Sequence, residues 1–395
     1  MKDITKNYYF VLPILLSFLF IIYIFLLNSL GFIMGGDSFT YLEWVQLIKN
    51  NDFSFINNKD EHSQKGYNYL VTVYIMYFFQ IIYFQNWQMF FVYFNLCIFF
   101  LIFSLLLILL NKELKLIPIL CFSLYIFFGN YEQFLWIRYL LTDYIFYLLV
   151  SLLFFMCFIY QIKKNIIYLI FIFLILVISF FTRPAFVVLF LIVTTLLIIN
   201  ICIKSRLYKF LPLFLLLYFF CFAIFFELVI FLNLLEGKFA DLSFKKIFGY
   251  YQEGIIVRNR LHTYIEINQI NLLNLLKLFF LKFIYFFVFW DQLYSLKHNI
   301  LNTIIFSPIY FFAGYSLFKF KTLTNYQKTL VLNCLVFIFC FAFFHSLTLI
   351  DYDWRFRLPI YLPLNIVSII GFLIFFYQKN YKLYFNDLTD PLKHS

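Results

Sequence analysis

Long apolar segments that recur along the chain constrain its fold more than any other feature of the sequence. The first runs from Tyr8 to Leu30, about 23 residues or roughly 34 Å as a helix, which is enough to cross a bilayer. Of the 395 residues, 65% are hydrophobic and only 12% are charged, whereas soluble domains carry about 25% charged residues. Because no water-soluble core could bury this much apolar surface, we predict an all-α, polytopic membrane protein.

Polar and basic breaks divide the apolar sequence into about ten predicted transmembrane helices. These spans are predicted at 8–30, 87–110, 114–128, 142–160, 166–181, 185–203, 210–232, 299–318, 329–348 and 358–377. Amphipathic helices are expected in the outer loops, 31–86 and 233–298. Within the first of these loops, residues 67–85 form either a span or a helix packed on the bundle, and we favour the second. Residues 1–377 then make one transmembrane domain, followed by a cytoplasmic tail at 378–395.

Ten spans put both termini on the same side of the membrane, and the charges identify that side. The segments facing it hold 15 of the 30 lysines and arginines but only four of the 19 acids, so the whole net charge of +11 lies there. Cytoplasmic loops carry such an excess of Lys and Arg. We therefore expect a multi-pass protein of the cell membrane with both termini in the cytoplasm. The membrane topology accounts for the excess of basic over acidic residues. No basic groove with interleaved stacking residues is visible in the sequence, so nucleic acid is not expected as a partner.

The opposite, extracytoplasmic face gathers the conspicuous carboxylates and arginines of the chain. Charges near a bilayer are expensive unless they are paired or wetted, and they often mark function. A transporter would place them at mid-membrane, in broken helices of two similar halves, and no internal repeat is visible. We therefore expect a site at the outer ends of the helices.

Asp37 lies in the segment GGDSFTYLEW, directly after the first predicted span. Asp followed by Ser-Phe-Thr-Tyr is a typical helix start, so one interpretation is a helix N-cap. The alternative is a general base that deprotonates a hydroxyl acceptor at the membrane surface. Tyr41, one turn further on, either stacks on a sugar or belongs to the interfacial aromatic belt.

A second acidic position follows in the sequence RYLLTD, from Arg138 to Asp143. Thr142 or Asp143 could cap the fourth predicted span, with Arg138 as an interfacial anchor. Alternatively, Asp143 is a second carboxylate that binds the acceptor or assists the base, with Arg138 as a substrate ligand. Both alternatives place the segment in the same compartment as Asp37.

Three more arginines are candidate phosphate ligands. Arg183, followed by Pro184, joins two predicted spans without a polar loop. Its side chain is either a salt-bridging or snorkelling anchor or a ligand for phosphate. Arg258 and Arg260, in the long outer loop, either hold a second phosphate or the acceptor, or are solvated surface charges.

Two arginines precede the last predicted span, Arg355 and Arg357 in the sequence DYDWRFRLP. Residues two apart point to opposite faces of an extended segment and about 200° apart on a helix, so we expect one to reach a cavity and the other to brace the fold. A guanidinium suits phosphate because it donates paired hydrogen bonds. Asp351 and Asp353 form a D-x-D pair that either holds a divalent cation or pairs with the arginines.

Taken in order, these segments resemble a known family over nearly the whole chain. The acidic motif after the first span, RYLLTD, the span-joining RP and the terminal RFRLP are similar to the GT-C glycosyltransferases, especially bacterial members related to the protein O-mannosyltransferases and the lipid A aminoarabinose transferase. The resemblance implies an inverting transfer of sugar from a polyprenyl-phosphate donor to a hydroxyl acceptor on lipid, glycan or protein. It implies Asp37 as the first-loop carboxylate, Asp143 as the second-loop acid, and Arg355 or Arg357 as the donor-phosphate ligand. The family's adjacent D-E pair is absent, since Ser38 follows Asp37.

Two alternatives to this function remain open. A polysaccharide polymerase or ligase would use diphosphate-linked glycans and rely on a long loop with several arginines, and residues 233–298 are compatible with that. A glycolipid flippase, which is not an enzyme, would need charged residues inside the spans. No nucleotide is required, in agreement with the absence of GxGxxG and GxxxxGK[ST] motifs. A divalent cation is the one cofactor that the sequence leaves open.

Overall fold

The structure, a computed structural model, describes most of the chain: residues 2–56, 66–83, 85–111, 117–204, 209, 213–218, 221, 272–291, 294–347 and 354–377. The described residues are almost entirely helical. No strand occurs among them, apart from a single isolated bridge between Ile33 and Tyr139. The predicted all-α class is therefore confirmed for this part of the chain.

Thirteen α-helices are numbered here in chain order. They are α1 (Lys2–Leu30), α2 (Gly36–Lys49), α3 (Leu70–Ile82), α4 (Trp87–Leu109), α5 (Ile117–Phe128), α6 (Tyr131–Ile137), α7 (Asp143–Lys163), α8 (Ile166–Phe180), α9 (Phe186–Lys204), α10 (Leu272–Tyr285), α11 (Leu296–Phe318), α12 (Asn325–Leu347) and α13 (Tyr361–Tyr377). Short 3-10 helices lie at Ser54–Ile56, Gly66–Tyr69, Phe320–Thr322 and Trp354–Ile360.

Among the described residues, six helical segments are long and apolar enough to cross a membrane: Val11–Leu30, Trp87–Leu109, Asp143–Lys163, Leu296–Phe318, Asn325–Ser346 and Arg355–Tyr377. Three shorter apolar helices, Ile117–Phe128, Ile166–Phe180 and Phe186–Cys202, lie at other predicted spans. The predicted span at 210–232 falls mostly outside the described residues. Multi-pass membrane character is thus supported, and the count of ten spans stays a prediction.

The last helix, α13, forms the buried centre of the bundle. In the most apolar stretch of Arg355–Tyr377, which includes α13, 89% of the residues are buried. The corresponding share for α1 is 11%, so α1 lies on the outside of the bundle. The close contact between α13 and α11 depends on Gly371, because a Cβ atom at this position would lie 1.8 Å from the Phe312 carbonyl oxygen. Helix α13 also packs against α5 and α12, so it is enclosed on several sides.

Short helices cover the end of the bundle where α1 stops. Helices α2 and α3 pack against each other, and α3 also packs on α4. Residues 70–82 therefore form a helix packed on the bundle, the arrangement that we favoured for 67–85. In the long outer loop, α10 forms where the sequence predicts an amphipathic helix, with Lys277 exposed and Lys282 buried.

Candidate active site

A cavity opens where five connections, with the helix ends beside them, meet at one end of the bundle. These connections are α1–α2, α2–α3, α6–α7, α8–α9 and α12–α13. The cavity encloses about 630 Å³ of empty space when the open solvent at its mouth is included. Five of the nine residues predicted for the site line it: Asp37, Tyr41, Asp143, Arg183 and Arg355.

The α1–α2 and α6–α7 connections are joined by backbone hydrogen bonds. Helix α1 ends at Gly31, whose φ of 68° is left-handed and whose N–H donates to the Leu27 carbonyl at 2.8 Å. Glycine suits this helix end because it has no Cβ atom to clash. Beyond the turn, the Ile33 N–H donates to the Arg138 carbonyl at 2.8 Å, and the Leu140 N–H donates to the Ile33 carbonyl at 3.2 Å. This pairing brings both predicted acidic segments to the same cavity.

Asp37 does not cap helix α2, so that interpretation of the sequence is wrong. The N-cap residue is Gly35, and Asp37 lies in the first turn. Ser38 supplies the capping hydroxyl, which accepts from the Gly35 N–H at 3.0 Å and donates to the Leu140 carbonyl at 2.8 Å. The Asp37 carboxylate is therefore not used by the helix end, although a helix N-terminus favours negative charge.

Asp37 faces Arg355 across the cavity. The distance between Asp37 Oδ2 and Arg355 Nη1 is 3.8 Å, and the two side chains are 33% and 24% exposed. This contact is long for an ion pair and reachable by water. The carboxylate therefore lies where a ligand entering from the mouth can meet it.

The second acid–arginine pair of the cavity is tight and buried. Arg183 Nη1 donates a hydrogen bond to Asp143 Oδ1, and the side chains are 14% and 5% exposed. Burial alone would lower the pKa of the Arg183 guanidinium, but the charge and hydrogen bond of Asp143 outweigh burial and raise that pKa. Arg183 is thus a permanent cation held at the cavity wall. Asp143 is the first residue of α7, where Thr142 is the N-cap residue but makes no side-chain cap bond.

Tyr41 lines the cavity, and its hydroxyl group stays protonated. Its ring is buried against Trp44 and Tyr69, with centroid distances of 5.8 Å and 5.3 Å. Burial raises the pKa of Tyr41 well above its usual value, and neighbouring Tyr69 and Asp37 raise it further. Tyr41 therefore keeps its O–H proton across the physiological pH range and can donate it to an anion.

No known family model, curated protein or solved structure matches the chain.

Arg138 braces the fold and does not line the cavity. Its Nε donates to the Gly31 carbonyl at 2.9 Å, and its Nη2 donates to the Leu30 carbonyl at 2.5 Å. The guanidinium thus closes the C-terminal end of α1, where carbonyl groups lack helical partners. This geometry does not support the predicted role of Arg138 as a substrate ligand.

Arg357 also lies away from the cavity, in a fully buried network. Its Nη2 lies 2.9 Å and 3.2 Å from the two carboxylate oxygens of Glu132, and its Nη1 donates to the Val288 carbonyl at 2.7 Å. Asn302 donates to Glu132 at 3.0 Å, and the Tyr361 hydroxyl donates to the same carboxylate. Arg355 reaches the cavity and Arg357 braces the fold, which is the division that their spacing predicts. A role for Arg357 in binding substrate is not supported.

The remaining predicted residues lie outside the described part of the chain. Arg258 and Arg260 belong to this group, and so do Asp351 and Asp353 of the D-x-D pair. Among the residues that the structure does describe, no group of three or more His, Cys, Asp or Glu side chains could hold a metal ion. A divalent cation at the D-x-D pair stays a prediction.

Several lining residues were not among those predicted: Tyr69, Thr142, Pro184, Ala185, Phe344, His345 and Phe356. The sequence could have indicated His345 as a site residue, because it is an ionisable residue within the apolar run FCFAFFHSL. Its ring is stacked between Phe286 and Phe356, with centroid distances of 5.7 Å and 4.7 Å. Nothing in the sequence indicated Phe356 as a site residue, because its sequence neighbours do not show what its ring contacts.

Proposed function

We propose that the chain is a membrane-embedded, inverting glycosyltransferase that moves a sugar from a polyprenyl-phosphate donor to a hydroxyl acceptor on the extracytoplasmic face. One observation carries the proposal: a half-exposed carboxylate, Asp37, and two guanidiniums, Arg183 and Arg355, face one cavity at the end of an apolar helical bundle. A base and a phosphate site, side by side at headgroup depth, are what such a transfer requires.

The donor phosphate is assigned to the arginines. Arg355 is the more exposed of the two cations, and in this proposal the phosphate replaces its 3.8 Å contact with Asp37. Arg183, held by Asp143, adds a second positive charge with fixed orientation. The Tyr41 hydroxyl group supplies a further donor. As the sugar leaves, negative charge builds on the phosphate, and these preorganised groups stabilise it in the transition state.

The polyprenyl chain needs an apolar path to the cavity. Helix α8 ends three residues before Arg183 and carries exposed apolar side chains along its length, among them Phe173, Leu174 and Ile178. A lipid chain lying against this face would bring its phosphate to the level of Arg183. This surface is the proposed path for the lipid chain of an amphiphilic donor.

Asp37 is assigned as the general base. It accepts the proton of the acceptor hydroxyl group while the acceptor oxygen forms a bond to the anomeric carbon of the sugar. The bond between that carbon and the phosphate oxygen breaks, and polyprenyl phosphate leaves with the electron pair. Attack from the side opposite the phosphate inverts the anomeric centre. The acceptor is a lipid, a glycan or a protein.

The donor is the property that best separates this function from its alternatives. Protein purified into lipid nanodiscs should release free polyprenyl phosphate from a polyprenyl-monophosphate sugar when a hydroxyl acceptor is present. The same sugar on a diphosphate carrier should be used at least tenfold more slowly. Faster use of the diphosphate carrier would favour the polymerase or ligase. Movement of intact donor across a bilayer without release of polyprenyl phosphate would favour the flippase.

A further inference from the structure

The Phe356 ring lies close to both cavity guanidiniums. The Arg355 Cζ atom is 5.2 Å from the centroid of the Phe356 ring, and the Arg183 Cζ atom is 5.6 Å from it. Both distances are within the range of cation–π attraction, in which a guanidinium lies over the negative face of a ring. One side chain thus contacts both proposed phosphate ligands, although they come from connections far apart in the sequence.

The Phe356 ring is itself held in place by a stack of aromatic side chains. His345 stacks on the Phe356 ring, with a centroid distance of 4.7 Å and an interplanar angle of 21°. Phe286 stacks in turn on His345, with a centroid distance of 5.7 Å and an interplanar angle of 16°. Phe356 and Phe286 are buried. A ring that is fixed by its neighbours can fix the groups that lie against it.

We infer that Phe356 is a positioning residue for the donor phosphate: its ring holds the Arg183 and Arg355 guanidiniums at one fixed separation. This inference rests on the proposed function.

The test uses Phe356→Leu, which removes the ring but keeps an apolar side chain, and Phe356→Tyr, which keeps the ring. Phe306→Leu is the matched control, because the Phe306 ring lies 5.0 Å from the Arg357 Cζ atom in the buried network away from the cavity. For each variant, KM for the polyprenyl-phosphate sugar, kcat and the unfolding temperature are measured in nanodiscs.

Phe356→Leu should raise KM for the donor by about five- to thirtyfold, the size expected when two cation–π contacts are lost. Phe356→Tyr should keep KM within about twofold of wild type. Phe306→Leu should lower the unfolding temperature without raising KM. Equal effects of both leucine variants on KM, an unchanged KM in Phe356→Leu, or a folded Phe356→Tyr protein with the raised KM would each overturn the inference. If wild-type protein neither binds nor turns over the donor, the proposed function fails instead.

Discussion

Arg355 Nη1 stands 3.8 Å from Asp37 Oδ2, whereas Arg183 in the same cavity donates a hydrogen bond directly to Asp143. The first pair is partly exposed and the second is buried. An exposed ion pair contributes only about 0–1 kcal/mol, so a competing anion can displace it easily. A buried pair resists separation because a single unpaired charge in the interior is costly. The exposed Asp37–Arg355 pair is therefore suited to exchange with substrate, and the buried Asp143–Arg183 pair is suited to holding Arg183 in place.

Arg355→Ala should weaken donor binding while leaving the protein folded. Charge-assisted hydrogen bonds contribute enough that the KM for the donor should rise roughly 10- to 100-fold. Arg355→Lys should recover part of the loss, because it restores the charge without the paired donors. Steady-state kinetics with varied donor concentration measure this. An Arg355→Ala protein with wild-type KM would show that the donor phosphate binds elsewhere.

At the Asp143–Arg183 pair, we expect substitutions to change the stability of the fold and the transfer activity independently. Asp143→Asn alone should destabilise the protein by about 3–5 kcal/mol, because it leaves the buried Arg183 charge uncompensated. The double variant Asp143→Leu with Arg183→Met replaces both charges by apolar groups and should recover most of that stability. It should remain inactive, because the second guanidinium is gone. Thermal unfolding and transfer are measured on the same samples, and an active double variant would remove Arg183 from the mechanism.

Arg357→Met should affect folding rather than donor binding. The substitution leaves the buried Glu132 carboxylate without its cation, at a cost of about 3–5 kcal/mol. Because Arg357 lies outside the cavity, the KM for the donor should match wild type in the protein that remains folded. Arg355→Ala is the natural comparison, since it should show the opposite pattern. A raised KM with unchanged stability in Arg357→Met would return Arg357 to the phosphate site.

Local sequence patterns predicted the helices and the region of the site well. Apolar runs are continuous in sequence, and charges that cannot lie in a bilayer collect in the connections between them. This reasoning placed Asp37, Asp143, Arg183 and Arg355 at one end of the bundle, and the structure brings these four residues to one cavity.

Roles that depend on distant partners could not be predicted in this way. The spacing of Arg355 and Arg357 predicted that one would reach a cavity and the other would brace the fold, but not which, because the partner of Arg357 is Glu132, 225 residues away. Arg138 likewise depends on carbonyl groups more than a hundred residues earlier. At Asp37 the local pattern favoured a cap, whereas the N-cap residue is Gly35, whose N–H donates to the Ser38 hydroxyl.

The central claim, that Asp37 is the base for transfer from a polyprenyl-phosphate donor, is tested most directly by Asp37→Asn. Glu43→Gln is the matched control, because it makes the same change on an exposed side chain of the same helix, α2. Transfer should fall by about 10²- to 10⁴-fold in Asp37→Asn, the range for loss of a general base. Donor affinity should be kept or tightened, since Arg355 no longer faces a carboxylate there, and Glu43→Gln should transfer at the wild-type rate. Wild-type transfer by a folded Asp37→Asn protein would contradict the account.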